Sequence, residues 1–277
     1  MAVFQQPATW PQETTIKRLL TAAVALPLLI LLILKADQRL FAAFIGLLSL
    51  LGLMEFFRMT LPGRAVENLP AALLGGLFSV CFLPPFQPLL FPAGVALVLL
   101  FCLVALFRIG EIRQSAGDVA LRLCGFLYVP LLLGHMILLR SEPHGNSWIF
   151  LLLVIVMCGD TGAYYVGSTL GRRKLYPVVS PNKSVEGSIG GVAGSLIGAL
   201  IASRTFFPEL TFVDCVGTAL LLGILGQLGD LFESLLKRSC GVKDSGTIIP
   251  GHGGILDRLD SILFAAPAAW WYAHYLF

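Results

Sequence analysis

Carboxylates, cations and glycines crowd into one stretch of this chain, Ser234 to Asp260, SLLKRSCGVKDSGTIIPGHGGILDRLD. It holds Lys237, Arg238, Lys243, Asp244, Asp257, Arg258 and Asp260 together with His252, and it lies between two apolar segments. An ionisable group at bilayer depth costs roughly 2.5 to 3.5 kcal/mol on insertion scales, so a cluster of them needs a partner or a chemical purpose. Just upstream, Asp230, Glu233, Ser234 and Lys237 follow the spacing i, i+3, i+4, i+7 and share one helix face. With a rise of about 1.5 Å per residue, Asp230 sits about 10 Å deeper than Lys237, beneath the polar headgroups. An ion pair between helices would explain part of this charge; a functional carboxylate explains more of it.

Gly251, Gly253 and Gly254 precede a helix that opens with Asp257, Arg258 and Asp260. Glycines allow close backbone approach, and the free N–H groups and dipole of a helix start favour an anion there. Carboxylates at the same place would repel a phosphate unless a cation stood between them. Lys and Arg for phosphate, with Asp for a divalent metal, point to a metal-bound polyphosphate, since magnesium is held by one or two carboxylates and substrate phosphates. Alone, Asp257 and Asp260 would read as complements to the helix dipole. Asp230 and Glu233 end the preceding span on the same side, so two acidic helix ends can converge.

Two further groups lie earlier. The apolar run Trp148 to Cys158 is too short to cross a bilayer, so its helix must continue through GDTGAYYVG and carry Asp160 into the membrane interior. The loop GRRKLYPVVSPNKSVEGSIGG then combines Arg172, Arg173, Lys174 and Lys183 with Ser180, Asn182 and Ser184. The run Arg172 to Lys174 reads as a topology signal near anionic lipid. Lys183, between Asn182 and Ser184 and just ahead of Glu186, is the better phosphate candidate. Beyond it, Gly190, Gly194 and Gly198 form one stripe of small residues and Gly187, Gly191 and Ser195 the next, which lets helices pack backbone to backbone.

The elements that must position these groups are membrane helices. The 57% hydrophobic and 13% charged content and the mean hydropathy of +0.85 exclude an ordinary soluble domain. The expectation is an all-α polytopic integral membrane protein of nine spans, about 19–34, 40–57, 69–83, 88–107, 119–139, 148–168, 186–203, 211–236 and 255–276. They consume most of the chain, so 1–277 reads as a single membrane domain, with 1–140 as amino-terminal scaffold and 148–277 carrying the site. With nine spans, Lys17, Arg18, Arg58, Arg64, both long polar loops and the cluster share one side, against Lys35, Arg39, Arg140 and Arg204 on the other. Positive residues favour the cytosol, which places the amino terminus and the site there. The first apolar run is a span rather than a cleaved leader, because no small-residue cleavage site follows it. Six scattered cysteines without a CxxC pair indicate neither a disulfide framework nor a zinc site.

The pattern S-x-x-K-R-x4-K-D-x-G-x-x-I-P-x-H-G-G-I-x-D-R-x-D from Ser234 to Asp260 closely resembles the signature of the phosphatidate cytidylyltransferases, or CDP-diacylglycerol synthases. GQLGDLFES, SPNKSVEGSIGG and GDTGAYYVG also look like segments of that family, so the resemblance covers the carboxyl-terminal half. It implies a multi-pass inner-membrane enzyme, a homodimer, with a cytosol-facing cavity. It implies CTP and phosphatidate as substrates within membrane lipid, magnesium as cofactor, and no nucleic-acid partner. Carried over by position, it makes Asp230 and Asp257 the metal ligands, with Asp260 close by. Lys237, Arg238, Lys243, His252, Arg258 and Asp260 are then the catalytic candidates, and Asp160, Ser180, Asn182, Lys183, Ser184 and Ser234 the substrate-binding ones.

Other readings are a CTP-dependent kinase or cytidylyltransferase acting on a polyprenol or archaeal-type lipid, and a transporter whose ion path uses Asp160 and Asp230. The transporter reading leaves the Lys/Arg/His-Gly-Gly loop unexplained and shows no paired broken helices. The DGxxAR-type motif of the CDP-alcohol phosphotransferases is missing from the sequence.

Overall fold

The computed structural model describes residues 12–107, 112–248 and 253–277. Ten α-helices follow one another: α1 Gln12–Lys35, α2 Gln38–Thr60, α3 Ala65–Phe78, α4 Leu90–Phe107, α5 Ile112–Phe126, α6 Leu132–Ser141, α7 Gly145–Leu170, α8 Val185–Thr205, α9 Phe212–Ser239 and α10 Leu256–Tyr275. Five residues of π-helix, Leu127–Leu131, join α5 to α6 around Pro130, so 112–141 runs as one rod. The missing proline N–H and the ring's clash with the preceding turn account for the widened turn.

Among the described residues, six helical segments are long and apolar enough to cross a membrane: 38–60, 84–107, 112–141, 145–170, 185–205 and 212–239. The chain is thus an all-α integral membrane protein; of the nine spans expected from the sequence, six coincide with these segments. Ala23–Lys35 and Glu67–Phe82 are shorter apolar helices, and α10 opens with Asp257, Arg258 and Asp260, which shorten its apolar run. The polar loop after α7 is not wholly irregular. It holds two short antiparallel strands, β1 Lys174–Tyr176 and β2 Ser180–Ser184, with Lys174 opposite Ser184 and Tyr176 opposite Ser180. Glu186, in the first turn of α8, fastens this hairpin by accepting from the N–H groups of Arg172 at 3.0 Å and Arg173 at 3.1 Å.

As the glycine stripes imply, α7 and α8 pack nearly backbone to backbone. A Cβ at Gly162 would stand 2.5 Å from the Gly190 carbonyl oxygen, and one at Gly187 3.0 Å from that of Ala163. Gly194 lies against Cys158 and Gly162, while Ser195 donates to the Ile155 carbonyl at 3.1 Å. The other stripe turns to α9, where Gly223 meets Ser195 and Gln227 donates to the Ser188 carbonyl at 3.1 Å. With little apolar driving force between helices inside lipid, close contact of this kind supplies the cohesion. It also holds Asp160 of α7 and Asp230 of α9 at fixed separation.

A side chain at Gly194 would therefore force α7 and α8 apart. Gly194→Val should lower stability by about 1 to 3 kcal/mol, read as a fall in melting temperature in detergent. Gly94→Ala in α4, where nothing lies within 4 Å, should stay within about 0.5 kcal/mol of the parent.

Candidate active site

The hairpin, the carboxyl end of α9, the segment after it and the start of α10 gather at one end of the bundle. Two charge clusters sit there. In the first, Lys237 reaches Glu233 one turn earlier on its own helix and Asp257 Oδ1 of α10 at 2.7 Å. Glu233 is fully buried and Asp257 nearly so. The second oxygen of Asp257 accepts from the N–H groups of Ser245 at 3.0 Å and Gly254 at 2.8 Å, while Asp257 N–H donates to Ser245 Oγ at 3.2 Å. Ile255, at the head of α10, makes no side-chain cap bond. Asp257 and Ser245 do that work instead, satisfying donors that a helix start leaves open. Gly253 is in the left-handed region at φ 84, and a Cβ there would stand 2.8 Å from Asp257 Oδ2, so glycine is required on both counts.

The second cluster lies deeper along α9. Lys183 of β2 pairs with Asp230 Oδ2 at 2.6 Å. Asp160 of α7, exposed on the helix surface, is within electrostatic reach of Asp230, Lys183 and Arg258. Asp260, half-buried on α10 with Oδ1 accepting from Ser261 N–H at 2.6 Å, is within reach of Asp230 and Asp160. Three carboxylates from three helices thus act on one another through space, with one cation from the hairpin paired to Asp230 and another on α10 within electrostatic reach of Asp160. Like charges so arranged repel unless a cation or cationic side chain enters between them.

Other expected site residues are placed differently. Ser184 is buried and caps α8, accepting from Gly187 N–H at 3.1 Å. Ser180 pairs with Tyr176 in the hairpin, and Asn182 is exposed on the same strand. Arg238 is exposed and donates to the Val242 carbonyl at 3.2 Å, while Lys243 is exposed in the turn beyond it. Ser234 is half-buried on α9 between the two clusters, and Arg258 is exposed. His252 lies outside the described residues.

The family model of the cytidylyltransferases matches residues 16–276. The chain belongs to the cytidylyltransferase family. A phosphatidate cytidylyltransferase of Staphylococcus aureus (strain COL) is 36% identical to it over 255 residues, 90% of this chain and 95% of that protein. One of Bacillus subtilis (strain 168) is 36% identical over 230 residues, 80% of this chain and 82% of that protein. One of Staphylococcus haemolyticus (strain JCSC1435) is 43% identical over 169 residues, 60% of this chain and 64% of that protein. This cytidylyltransferase is a nucleotidyltransferase of the membrane, and its similarity extends through the amino-terminal helices as well as the charged end.

Nucleotidyl transfer by this family implies a divalent metal, and the donor set suits one. The clustered acids are hard oxygen ligands. A carboxylate offers about four lone-pair directions, and Asp257 uses three of them on Lys237, Ser245 and Gly254. Among the described residues no three acidic, histidine or cysteine side chains come close enough to share one ion.

Two residues of this end were not singled out by sequence. Glu55 of α2 is fully buried and accepts from Leu256 N–H at 2.8 Å. Tyr128, in the π-turn, is buried against Phe232 and Phe264 within electrostatic reach of Glu233 and Asp260. Glu55 is the sole acid in the apolar helix α2, and a lone intramembrane acid is the signal that could have exposed it.

Among the described residues, Lys237 is the one cation that touches both Glu233 and Asp257. Lys237→Met strands two buried carboxylates and should cost about 3 to 5 kcal/mol. Adding Glu233→Gln should restore part of that loss, seen as a melting temperature between the single variant and the parent.

Proposed function

We propose that this cytidylyltransferase is a phosphatidate cytidylyltransferase, converting CTP and phosphatidate to CDP-diacylglycerol and pyrophosphate. The observation that carries the reading is the Lys183–Asp230 ion pair at the polar end of the bundle, with Asp160, Asp260 and Arg258 within electrostatic reach of it. The long, similar relatives bear the same activity in their names.

The reaction joins two polyanions. An oxygen of the lipid phosphate attacks the α-phosphorus of CTP, a new P–O bond forms, the bond to the bridging oxygen of the β-phosphate breaks, and pyrophosphate leaves with that electron pair. The lipid phosphate is already ionised at neutral pH, so the chain needs neither a strong general base nor a covalent nucleophile. Its work is positioning and charge neutralisation. Lys183 and Arg258 border the carboxylate cluster and are the cations best placed to take phosphate oxygens. Lys237 sets the position of Asp257, and the exposed Arg238 and Lys243 offer charge to an incoming triphosphate. Ser180, Asn182 and Ser234 supply neutral polar contacts along the approach, and His252 completes the motif.

Asp230 and Asp257 are the proposed metal ligands, with Asp260 adjoining. Magnesium bound there would offset the charge that gathers on attacking and leaving oxygens. The polar end faces the cytosol, where CTP is available, in a nine-span arrangement with a cytosolic amino terminus. The positive residues on that side support this orientation. By family resemblance the enzyme is a homodimer of the inner membrane.

In purified, folded protein, Asp257→Asn should abolish magnesium-dependent release of pyrophosphate from CTP plus phosphatidate, a loss of about 100-fold or more. Near-normal turnover would remove Asp257 from the metal site. Release of free CDP by the parent enzyme, in place of a nucleotide-lipid, would instead identify a lipid kinase.

A further inference from the structure

The amino-terminal helices reach into the charged end at one point. Glu55 lies in α2, beside Phe56 and Phe57, and none of its side chain is exposed. Its Oε2 accepts from Leu256 N–H at 2.8 Å and from Ser245 Oγ at 3.3 Å. These partners stand 201 and 190 residues away in the chain, at the head of α10 and in the segment that leads to it. Oε1 has no hydrogen-bond partner among the described residues.

The segment is built around this carboxylate. A Cβ at Gly254 would stand 2.5 Å from Glu55 Oε2, and one at Gly246 would press on Oε1 and lie 2.7 Å from Cδ. Neither glycine has a positive φ. The Glu55 carboxylate fills the space of a side chain at Gly246, and together with Ser245 Oγ it does so at Gly254. Ser245, which receives this contact, also donates its backbone N–H to Asp257 Oδ2 and accepts from Asp257 N–H.

We propose that Glu55 is a positioning residue for nucleotidyl transfer: a cap supplied from α2 that fixes the start of α10, and with it Asp257 and Asp260. The proposal rests on the function given above. α10 lacks a side-chain cap of its own at Ile255; Asp257 and Ser245 take up the N–H groups of Gly254 and Asp257, and the N–H of Leu256 is left to Glu55. Glu55 ties its first N–H to a helix that the hydrophobic core already holds. The route runs from Glu55 through Ser245 to Asp257, so Glu55 acts on the reaction without touching substrate. What matters is the length of the side chain and an acceptor oxygen at its end, rather than its negative charge.

Two substitutions separate reach from charge. Glu55→Gln keeps an acceptor oxygen at the same distance, and Glu55→Asp keeps the acid but withdraws it by one methylene. In the full chain, Glu55→Asp should lower kcat by about 10- to 100-fold, since small misplacements remote from the chemistry cost that much. Glu55→Gln should stay within about threefold of the parent. Hydrogen–deuterium exchange over residues 253–260 should quicken in Glu55→Asp and not in Glu55→Gln. Gly246→Ala should slow turnover by itself, and less so in the Glu55→Asp background, where the carboxylate has drawn back. That non-additivity is readable even where one variant is poorly folded.

Near-parental turnover in Glu55→Asp, equal loss in both Glu55 variants, or unchanged exchange over 253–260 would overturn the positioning role. Failure of the parent enzyme to transfer CMP to phosphatidate would overturn the function instead. The exchange comparison would still decide whether Glu55 holds α10.

Discussion

The charged end depends on Lys237 held between two buried carboxylates, Glu233 of its own helix and Asp257 of the next. Removing ions from water costs several kcal/mol each, and only close pairing with further hydrogen bonds offsets it. Asp257 meets that demand with Lys237 on one oxygen and two backbone N–H groups on the other. The pairing therefore does more than neutralise charge. It locks the carboxyl end of α9, the segment around Ser245 and the first turn of α10 into a single arrangement.

A second consequence follows for the deeper cluster. Once α10 is fixed by Asp257, Asp260 is carried to where Asp230 and Asp160 act on it. The glycine-lined contacts between α7 and α8, and the Ser195 and Gln227 contacts between α8 and α9, fix the helices that carry the other two acids. Packing sets where the three acids stand, and Lys183 pairs with Asp230 among them.

Much of this was legible in the residues. The shortness of the apolar run before Asp160 requires that α7 continue past it, and α7 does so to Leu170. The glycine stripes foretell the closeness of α7 and α8. The spacing from Asp230 to Lys237 places Glu233 one turn from Lys237, where it lies. Other features depend on distant contacts that spacing cannot encode. Nothing local tells that Lys183 folds back onto Asp230, since the polar stretch carries no alternating apolar pattern that would mark a hairpin. Ser184 reads as a substrate-binding residue, and its part in capping α8 is an additional role. Glu55 is a single acid in an apolar span, and its partners lie in the other half of the chain. The division into scaffold and site is accordingly too sharp, because α2 and the π-turn at Tyr128 both border the charged end.

The most direct measurement of the central claim follows the phosphorus atoms of CTP in the purified protein with magnesium and phosphatidate. Label at the α-phosphate should move into the extractable lipid while label at the γ-phosphate leaves as pyrophosphate, in equal amounts and only when phosphatidate is present. Label from the γ-phosphate in the lipid, or α-label recovered as free CDP, would contradict it.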